Sequence, residues 1–229
     1  HTDVTGVAAN AMGILTAALE DTAQYYTEHS LVPGISFKVI TYDNQYNPAK
    51  DVPGYEWLKE RGADIIFSPV ASTAVALKPR LEKDRTVLYT VAPNPEAFDP
   101  PGWVFAAGNT CVNWEAQTLL KWIAEKDRPA KVGGAFWNES YGIAVLKGAE
   151  AYARTHPDQF EWRGSHLTNF SFNWTTEVDA LKDCDYVFPP VPMTAFLKQW
   201  QEAGHPTKFI GTDAHICFLK QIDDAGLWK

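Results

Sequence analysis

The sequence predicts an α/β protein in which parallel β-sheets are covered by helices on both faces and which is divided into two lobes. Short apolar runs of β-forming residues alternate with longer stretches of helical period, which is typical of such sheets. The 229 residues are 45% hydrophobic and 13% aromatic, enough to fill either one large domain or two lobes. A proline-rich segment near the middle of the chain, Pro93–Gly102, interrupts the alternation and predicts a surface connection between the lobes.

Each predicted strand is a short run rich in β-branched or aromatic residues, and each predicted helix is a longer amphipathic stretch between two such runs. The predicted strands, in chain order, are Ser36–Tyr42, Ala63–Phe67, Thr86–Thr90, Lys131–Trp137, Phe160–His166, Tyr186–Phe188 and Thr207–Gly211. The predicted helices are Ala11–Ser30, Asp51–Arg61, Ser72–Lys83, Asn113–Lys126, Ser140–His156, Trp174–Leu181, Met193–Ala203 and Ile216–Ala225.

The chain is expected to leave one lobe and enter the next just after the proline-rich connection. A brief apolar piece, Trp103–Ala106, follows that connection and runs into the helix predicted at Asn113, so Ala107–Cys111 is our hinge candidate. Residues 1–108 then form the first lobe and residues 109–229 most of the second. Both lobes share the alternating βα pattern of Rossmann-like folds.

Charge and composition exclude several classes of protein. A net charge of −8 with a sequence pI near 5.2 repels polyphosphate, and no local basic stripe reverses this, so a nucleic-acid partner is not expected. No apolar run reaches the roughly 18 to 20 residues of a membrane helix. The three cysteines, Cys111, Cys184 and Cys217, fit no CxxC spacing; one disulfide is conceivable but is not predicted.

Both ends of the sequence suggest a chain that is part of something longer. The polar segment His1–Gly6 leads straight into a helix, whereas a doubly wound sheet normally begins with a buried central strand. The other end, Ala225–Lys229, follows a helix with no closing element. We therefore expect both lobes to be incomplete, the first lacking its first strand and its C-terminal return.

Ligands of open α/β sheets bind beyond the carboxyl ends of the strands, and this rule selects candidate residues in the first half. After the strand ending at Phe67, the hydroxyl of Ser72 and the amides around Ser72 and Thr73 could face a carboxylate. The alternative is that Ser72 is an ordinary helix N-cap.

The loop after the strand ending at Thr90 supplies the next candidates. Extended backbone at Ala92 and the amide group of Asn94 could reach the same crevice, although a proline-rich segment such as this is often only a turn.

In the second half, the strand ending at Trp137 leads to Tyr141 and Gly142 at the start of a helix. Two aromatic rings there could cover a small ligand, or Trp137 and Tyr141 could instead fill the space between sheet and helix. These two interpretations remain open from the sequence.

Two later strands add further candidates. The run from Phe188 to Met193 is too rich in proline to be helical and predicts a stiff rim. Asp213 follows a strand and could pair with an ammonium group, or it could simply cap a helix. Asp213 and His215 together hint at metal, but no third or fourth ligand lies nearby, so neither a metal nor a cofactor is predicted.

The two halves offer complementary chemistry. Hydroxyl and amide donors come from the first half, while aromatic rings and an acid come from the second, all at strand carboxyl ends. A ligand with one carboxylate and one ammonium group needs this combination.

Several short motifs, in order along the chain, resemble the leucine/isoleucine/valine-binding branch of the type I periplasmic binding proteins. The motifs are Thr5-Gly6, Tyr42-Asp43-Asn44-Gln45, Ser68-Pro69 with Ser72, Tyr141-Gly142, and Phe209-Ile-Gly-Thr-Asp213.

That resemblance implies roles for the matching residues. Ser72 and the backbone near Ala92 would hold the ligand carboxylate, Asn94 and Asp213 would hold the ammonium group, and Tyr141 would lie over the side chain. The chain departs from the family pattern in three of the places that matter. Asn94 stands for the usual threonine and Asp213 for the usual glutamate, while Ala71 replaces a cysteine, so the disulfide of the first lobe is absent.

The resemblance further implies a solute receptor of an ABC importer that binds an amino acid, aromatic acid or amide between its lobes. Closure about the hinge would present the loaded receptor to a membrane permease. A periplasmic or extracellular location is expected, with a signal peptide or lipid anchor in the precursor.

Two other functions compete with this interpretation. A hydrolase could use the same fold, and Ser72, Asp213 and His215 could be imagined as its triad, but the chain contains no nucleophile elbow, phosphate loop or zinc-protease motif. A ligand-sensing ectodomain would use the same binding chemistry as a receptor.

Overall fold

A computed structural model describes residues 1–107 and 111–228 of the chain. They form two compact units, His1–Asn109 and Thr110–Lys229, referred to below as unit 1 and unit 2. The predicted hinge, Ala107–Cys111, and the lobe boundary at residue 108 lie largely outside the described residues. Each unit is a parallel sheet with flanking helices, which confirms the predicted α/β class.

Unit 1 alternates helices with three short strands. In chain order its elements are α1 (Ala9–Glu28), a 3-10 turn (Pro48–Lys50), α2 (Asp51–Glu60), β1 (Ile65–Ser68), α3 (Ala71–Asp84), β2 (Val87–Thr90), α4 (Pro95–Phe98) and β3 (Val104–Ala106). The strands are parallel in the order β1-β2-β3.

The core of unit 1 lies between its sheet and the helices α2 and α3. Leu77 and Leu81 of α3 are one helical turn apart, and both are fully buried against Leu58 of α2 and Leu88 of β2. The other face of the sheet carries an aromatic row. Tyr89 and Phe105 are cross-strand neighbours with ring centroids 5.8 Å apart, and both are more than 40% exposed.

Two sequence predictions in unit 1 are wrong, and one piece of the chain left unassigned is a strand. Ser36–Tyr42 is extended but forms no ladder with any described strand; the chain pairs only next to it, in a single parallel bridge between Thr2 and Asp43. The connection Pro93–Gly102 contains α4, whose first turn tolerates Pro95 because no amide hydrogen is needed there. The apolar piece after it forms β3, which pairs with β2.

A cavity of about 610 Å³ lies beside β1 in unit 1. Residues of α1, of the extended segment and of β1 line it, among them Leu19, Phe37, Val39 and Ile66. The cavity lies between the extended segment and the strand, and no backbone ladder joins the two.

Unit 2 is built in the same way around four strands. Its elements are α5 (Val112–Lys126), β4 (Ala130–Trp137), α6 (Ser140–Thr155), β5 (Phe160–Thr168), α7 (Thr175–Leu181), β6 (Tyr186–Phe188), α8 (Thr194–Ala203), β7 (Lys208–Phe209), a 3-10 helix (Asp213–Phe218) and α9 (Leu219–Asp224). The strands are parallel in the order β5-β4-β6-β7.

Strand β4 lies between β5 and β6 in the sheet of unit 2 and is buried on both faces. All its residues except Lys131 are buried, as expected for a strand covered on both faces. Gly134 allows a close approach, because an added Cβ would lie 2.6 Å from a methyl group of Leu146 in α6. Strand β4 and helix α6 therefore pack closely at this point.

No helix in the described ranges is long and apolar enough to cross a membrane.

Candidate functional site

The carboxyl ends of β1 and β2 position the unit 1 candidates. Ser72 lies half-buried in the first turn of α3, and its hydroxyl has no hydrogen-bond partner in the described part of the chain. The N-cap of α3 is Val70, so the interpretation of Ser72 as an N-cap is wrong. Its hydroxyl remains available to an external group.

Thr73, the next residue, points into the fold. It is fully buried, and its hydroxyl donates to Asp51 Oδ1 at 3.1 Å. Asn44 donates to the same carboxylate oxygen at 2.9 Å, and burial raises the pKa of Asp51. The Thr73 side chain therefore fixes the start of α3 on α2.

Ala92 and Asn94 lie in the short loop between β2 and α4. The Ala92 amide donates to Thr90 Oγ1 at 3.3 Å. Asn94 is 3% exposed, and its Oδ1 finds no hydrogen-bond partner among the described residues. A buried polar atom without a partner destabilises a fold by about 1–3 kcal/mol.

In unit 2, Tyr141 projects from the start of α6. The carboxylate of Glu139 caps this helix and accepts hydrogen bonds from the amides of Tyr141, at 2.8 Å, and Gly142. Gly142 is required here, since an added Cβ would lie 2.6 Å from that of Phe136. The cap and the close packing hold the Tyr141 ring in one position, with 7% of the residue exposed.

The Tyr141 hydroxyl meets the loop after β7. It is hydrogen-bonded to Thr212 Oγ1 at 2.6 Å and donates to Asp213 Oδ1 at 3.4 Å. Burial raises the pKa of Tyr141, so the phenol is neutral. Two residues predicted for the site, Tyr141 and Asp213, are thus brought together although 72 positions separate them.

Glu115, from the first turn of α5, completes this group, and the sequence analysis missed it. Its Oε1 accepts a hydrogen bond from the Asp213 amide at 2.7 Å. Burial raises the pKa of the Glu115 carboxyl to about 7, and repulsion from Asp213 acts in the same direction. We call Glu115, Tyr141, Thr212 and Asp213 the acidic group of unit 2.

His215 supports the acidic group from behind. Its Nδ1 accepts from the Thr212 amide at 2.8 Å, so the ring proton is on Nε2, which donates to the Pro189 carbonyl at 3.1 Å. Burial lowers the pKa of His215 to about 4, which keeps the ring neutral. Both nitrogens are thereby occupied, and neither is directed at a metal or at a nucleophile.

Trp137 and Met193 are committed to the core of unit 2. The Trp137 indole donates to the Ser171 carbonyl at 2.9 Å and packs on Phe170 and Phe172, each with ring centroids 5.2 Å away. Met193 is 6% exposed and lies in a cluster with Leu197 and Ile222. The observed contacts of Trp137 are therefore those of a side chain that fills the fold, the structural one of the two interpretations left open by the sequence.

Comparison with known proteins begins with a family model described as periplasmic binding protein, which matches residues 1–227. A comparison with curated protein sequences finds no significant match.

The solved structures that match this chain have the same fold as it does. A branched-chain amino acid ABC transporter protein from Thermus thermophilus with bound valine is 23% identical, with a TM-score of 0.82 over 92% of this chain and 56% of its own. A solute-binding protein from R. palustris in complex with 4-hydroxybenzoate is 16% identical, with a TM-score of 0.80 over 98% of this chain and 64% of its own.

A branched-chain amino acid transporter substrate-binding protein from Streptococcus pneumoniae in complex with isoleucine is 15% identical, with a TM-score of 0.76 over 96% of this chain and 65% of its own. Likeness at these identities shows the fold alone. The chain spans less than two thirds of the length of each of these structures.

Proposed function

The chain belongs to the periplasmic binding protein family, and from this premise we propose that it is the solute-binding receptor of an ABC importer that binds an amino acid between its two units. The type I periplasmic binding fold, with two α/β units, provides the frame for this function. The choice of an amino acid depends on the chemistry of each unit.

The acidic group of unit 2 is the observation that carries the proposal. A phenol and two carboxyl groups converge at the carboxyl ends of β4 and β7, with Tyr141 3.4 Å from Asp213 and Glu115 2.7 Å from the Asp213 amide. An ammonium group has three donors and a positive charge, and oxygen acceptors of this kind are its natural partners. A ligand whose only charge is a carboxylate would be repelled.

Unit 1 offers the complementary groups. The Ser72 hydroxyl can donate to a ligand carboxylate at the start of α3, where the helix dipole also favours negative charge. The backbone at Ala92 would lie beside it, and Asn94 Oδ1, which has no partner among the described residues, would accept from the ligand amine. One unit then binds the anionic end and both contribute to the cationic end.

Three other predicted site residues are assigned indirect roles. The side chains of Thr73, Trp137 and Met193 already make contacts within the fold. We infer that Thr73 positions the start of α3, that Trp137 supports the turn into α6, and that Met193 packs beneath the rim.

Binding would proceed in two steps. The ligand docks on unit 1 through Ser72, Ala92 and Asn94, and closure about the hinge then brings Tyr141 and Asp213 onto it. Because the ligand makes more contacts in the closed form, it shifts the equilibrium toward closure. A membrane permease would recognise the closed receptor, and the site of action would be the periplasm or the cell exterior.

Thermal melting of the protein with a panel of small solutes tests this function. We expect L-valine, L-isoleucine or a related amino acid to raise the melting temperature, with about 2.7 kcal/mol of added stability at a hundred times Kd. 4-Hydroxybenzoate and benzoate, which lack an amine, are the matched negative probes.

The Asp213→Asn variant provides the control for the site. It retains the size of the side chain but loses the charge, so it should lose the shift with amino acids. If benzoates shift the melting temperature and amino acids do not, the assignment of the ligand is wrong, and if nothing in the panel does, the receptor function is unsupported.

A further inference from the structure

The cavity beside β1 in unit 1 has two walls of extended backbone. One wall is formed by residues 36–41 and the other by residues 63–67, which include most of β1. At roughly 3.3 Å per residue, walls of this length are about 17–20 Å long. That length is typical of one β-strand.

The backbone groups of both walls are largely unpaired in the described part of the chain. The backbone of residues 38–41 makes no hydrogen bond to any described residue. Strand β1 pairs with β2 along one edge, and on the opposite edge the Phe67 carbonyl alone has a partner among the described residues. Backbone groups of this kind, on both sides of one space, favour an occupant that can form hydrogen bonds with them.

One end of the space is already bridged by a single chain. The Thr2 amide donates to the Tyr42 carbonyl at 3.0 Å, and the Asn44 amide donates to the Thr2 carbonyl at 2.9 Å, which are the two bonds of a parallel bridge. The His1 nitrogen donates to the Phe67 carbonyl of the opposite wall at 3.0 Å. The space is therefore one strand wide at this end, and a strand that continues into His1 would run parallel to both walls.

The side chains that line the space are mainly apolar. Leu19 and Ala23 of α1 contribute to the lining, as does Leu58 of α2. The charged lining residues are all exposed: Lys38, Arg61 and Asp64. An alkyl chain would match the apolar lining but would leave the backbone groups of both walls without partners, whereas an apolar polypeptide strand satisfies both requirements.

We propose that the cavity binds one extended, apolar polypeptide strand of about five residues, which runs parallel to both walls and continues into His1. The three-stranded sheet of unit 1 then gains two strands, the added one and residues 36–42 at its edge. This interaction is separate from the solute binding proposed above.

The bridge between Thr2 and Asp43 fixes the register of the added strand. In a parallel ladder, its last residue before His1 bonds to the Ile40 carbonyl and the Tyr42 amide. The residue before that one faces the opposite wall and bonds to the Phe67 amide. The amides of residues 39 and 41 point away from the added strand, because successive backbone groups alternate in direction.

Extension of the chain at His1 tests the proposal, with amide hydrogen exchange followed by NMR. The extension Thr-Val-Ile-Val-Thr is compared with Gly-Ser-Gly-Ser-Gly, which has the same length but a low β propensity. With the first extension, we expect the amides of Ile40, Tyr42 and Phe67 to exchange at least about tenfold more slowly than with the second. Exchange at Val39 and Thr41 should be the same in both proteins.

Two proline variants of the protein with the Thr-Val-Ile-Val-Thr extension distinguish strand pairing from simple filling of the space. Ile40→Pro removes an amide that faces the added strand, whereas Val39→Pro removes one that faces away from it. The Ile40→Pro variant should lose the slow exchange of the Tyr42 amide. The Val39→Pro variant is the matched control and should retain it.

Three results would overturn the proposal. The first is equal exchange with the two extensions, and the second is loss of the native fold with Thr-Val-Ile-Val-Thr, since a seated strand stabilises unit 1. The third is equal protection of the same amides when dodecanoate, an apolar filler without backbone groups, is added to the unaltered protein. None of these measurements involves the solute of the candidate site, so their outcome is independent of the proposed function.

Discussion

The two units place polar groups at equivalent positions, the carboxyl ends of parallel strands, but they treat these groups differently. In unit 2 the groups are already bonded to one another, in a chain from Tyr141 through Thr212 to His215 and on to the Pro189 carbonyl. In unit 1 the Ser72 hydroxyl and Asn94 Oδ1 have no partner among the described residues.

Because of this difference, substitutions in the two units should change stability and ligand affinity in different ways. A ligand adds new hydrogen bonds in unit 1, whereas in unit 2 it must compete with bonds that also stabilise the fold. Substitutions of the bonded groups in unit 2 should therefore lower stability and affinity together, while those of the unpaired groups in unit 1 should lower affinity without lowering stability. The predictions below test this contrast, and they run from the largest expected change in stability to the smallest.

Protonation of His215 should produce the largest effect. An unfolded histidine ionises near pH 6.5, whereas burial lowers the pKa of His215 to about 4. As the pH falls the unfolded chain binds this proton first, so stability is present above pH 6.5 and is lost between pH 6.5 and 4. The loss is about 3 kcal/mol.

Urea unfolding at a series of pH values measures this loss. The His215→Asn variant should be less stable at pH 7 but should show a weaker dependence on pH over that window. Identical slopes for the two proteins would mean that another group causes the acid sensitivity.

Tyr141→Phe should have the next largest effect. It removes a buried hydroxyl that is hydrogen-bonded to Thr212 and Asp213, so the free energy of unfolding should fall by about 1–2 kcal/mol, and amino-acid affinity should fall with it. Urea unfolding and calorimetry give the two quantities. A variant that binds less tightly with unchanged stability would contradict the coupling proposed for unit 2.

Asn94→Ala should change stability in the opposite direction. It removes a buried oxygen that no described residue satisfies, so we expect a gain of about 1 kcal/mol together with weaker ligand binding. The matched control is Asn44→Ala: Asn44 is equally buried, but it donates to Asp51 and accepts from the Tyr46 amide, so its loss should destabilise by about 1–3 kcal/mol. Equal changes in the free energy of unfolding for the two substitutions would contradict the claim that Asn94 Oδ1 lacks the hydrogen bonds that Asn44 makes.

Ser72→Ala should leave stability within about 0.5 kcal/mol, because its hydroxyl has no hydrogen bond to any described residue. Amino-acid affinity should nevertheless fall by about tenfold to a hundredfold, the contribution of a hydrogen bond to a charged group. Thr118→Ala, at an exposed position on α5, is the control for both measurements. Unchanged affinity for Ser72→Ala would remove this residue from the site.

The sequence predicted the elements whose periodicity is long or whose burial is complete. The predicted Ser140–His156 helix differs from α6 by one residue, and the strand Tyr186–Phe188 has the predicted bounds. The predictions failed where a neighbour decides the outcome: Ser36–Tyr42 has the composition of a strand but no partner. Strand β3 and helix α4 have only three and four residues, too few for a period to be recognised.

The site was predicted to a similar extent. The rule that ligands bind at strand carboxyl ends selected Tyr141 and Asp213, and the structure places them 3.4 Å apart. It could not select Glu115, because that residue lies in the first turn of a helix and not after a strand, and nothing in its local sequence indicates that it faces a loop 98 residues later. The role of Ser72 as an N-cap failed because α3 begins one residue earlier than predicted.

The aromatic row on the sheet of unit 1 affects the tendency of the protein to self-associate in solution. Tyr89 and Phe105 are neighbours on a solvent-exposed face of the sheet. Ile65, which is 58% exposed, extends this apolar surface toward the edge of the sheet. Such a surface attracts detergent, fluorescent dyes and other copies of itself. Dilute, well-dispersed samples are therefore the ones in which affinity will report on single molecules.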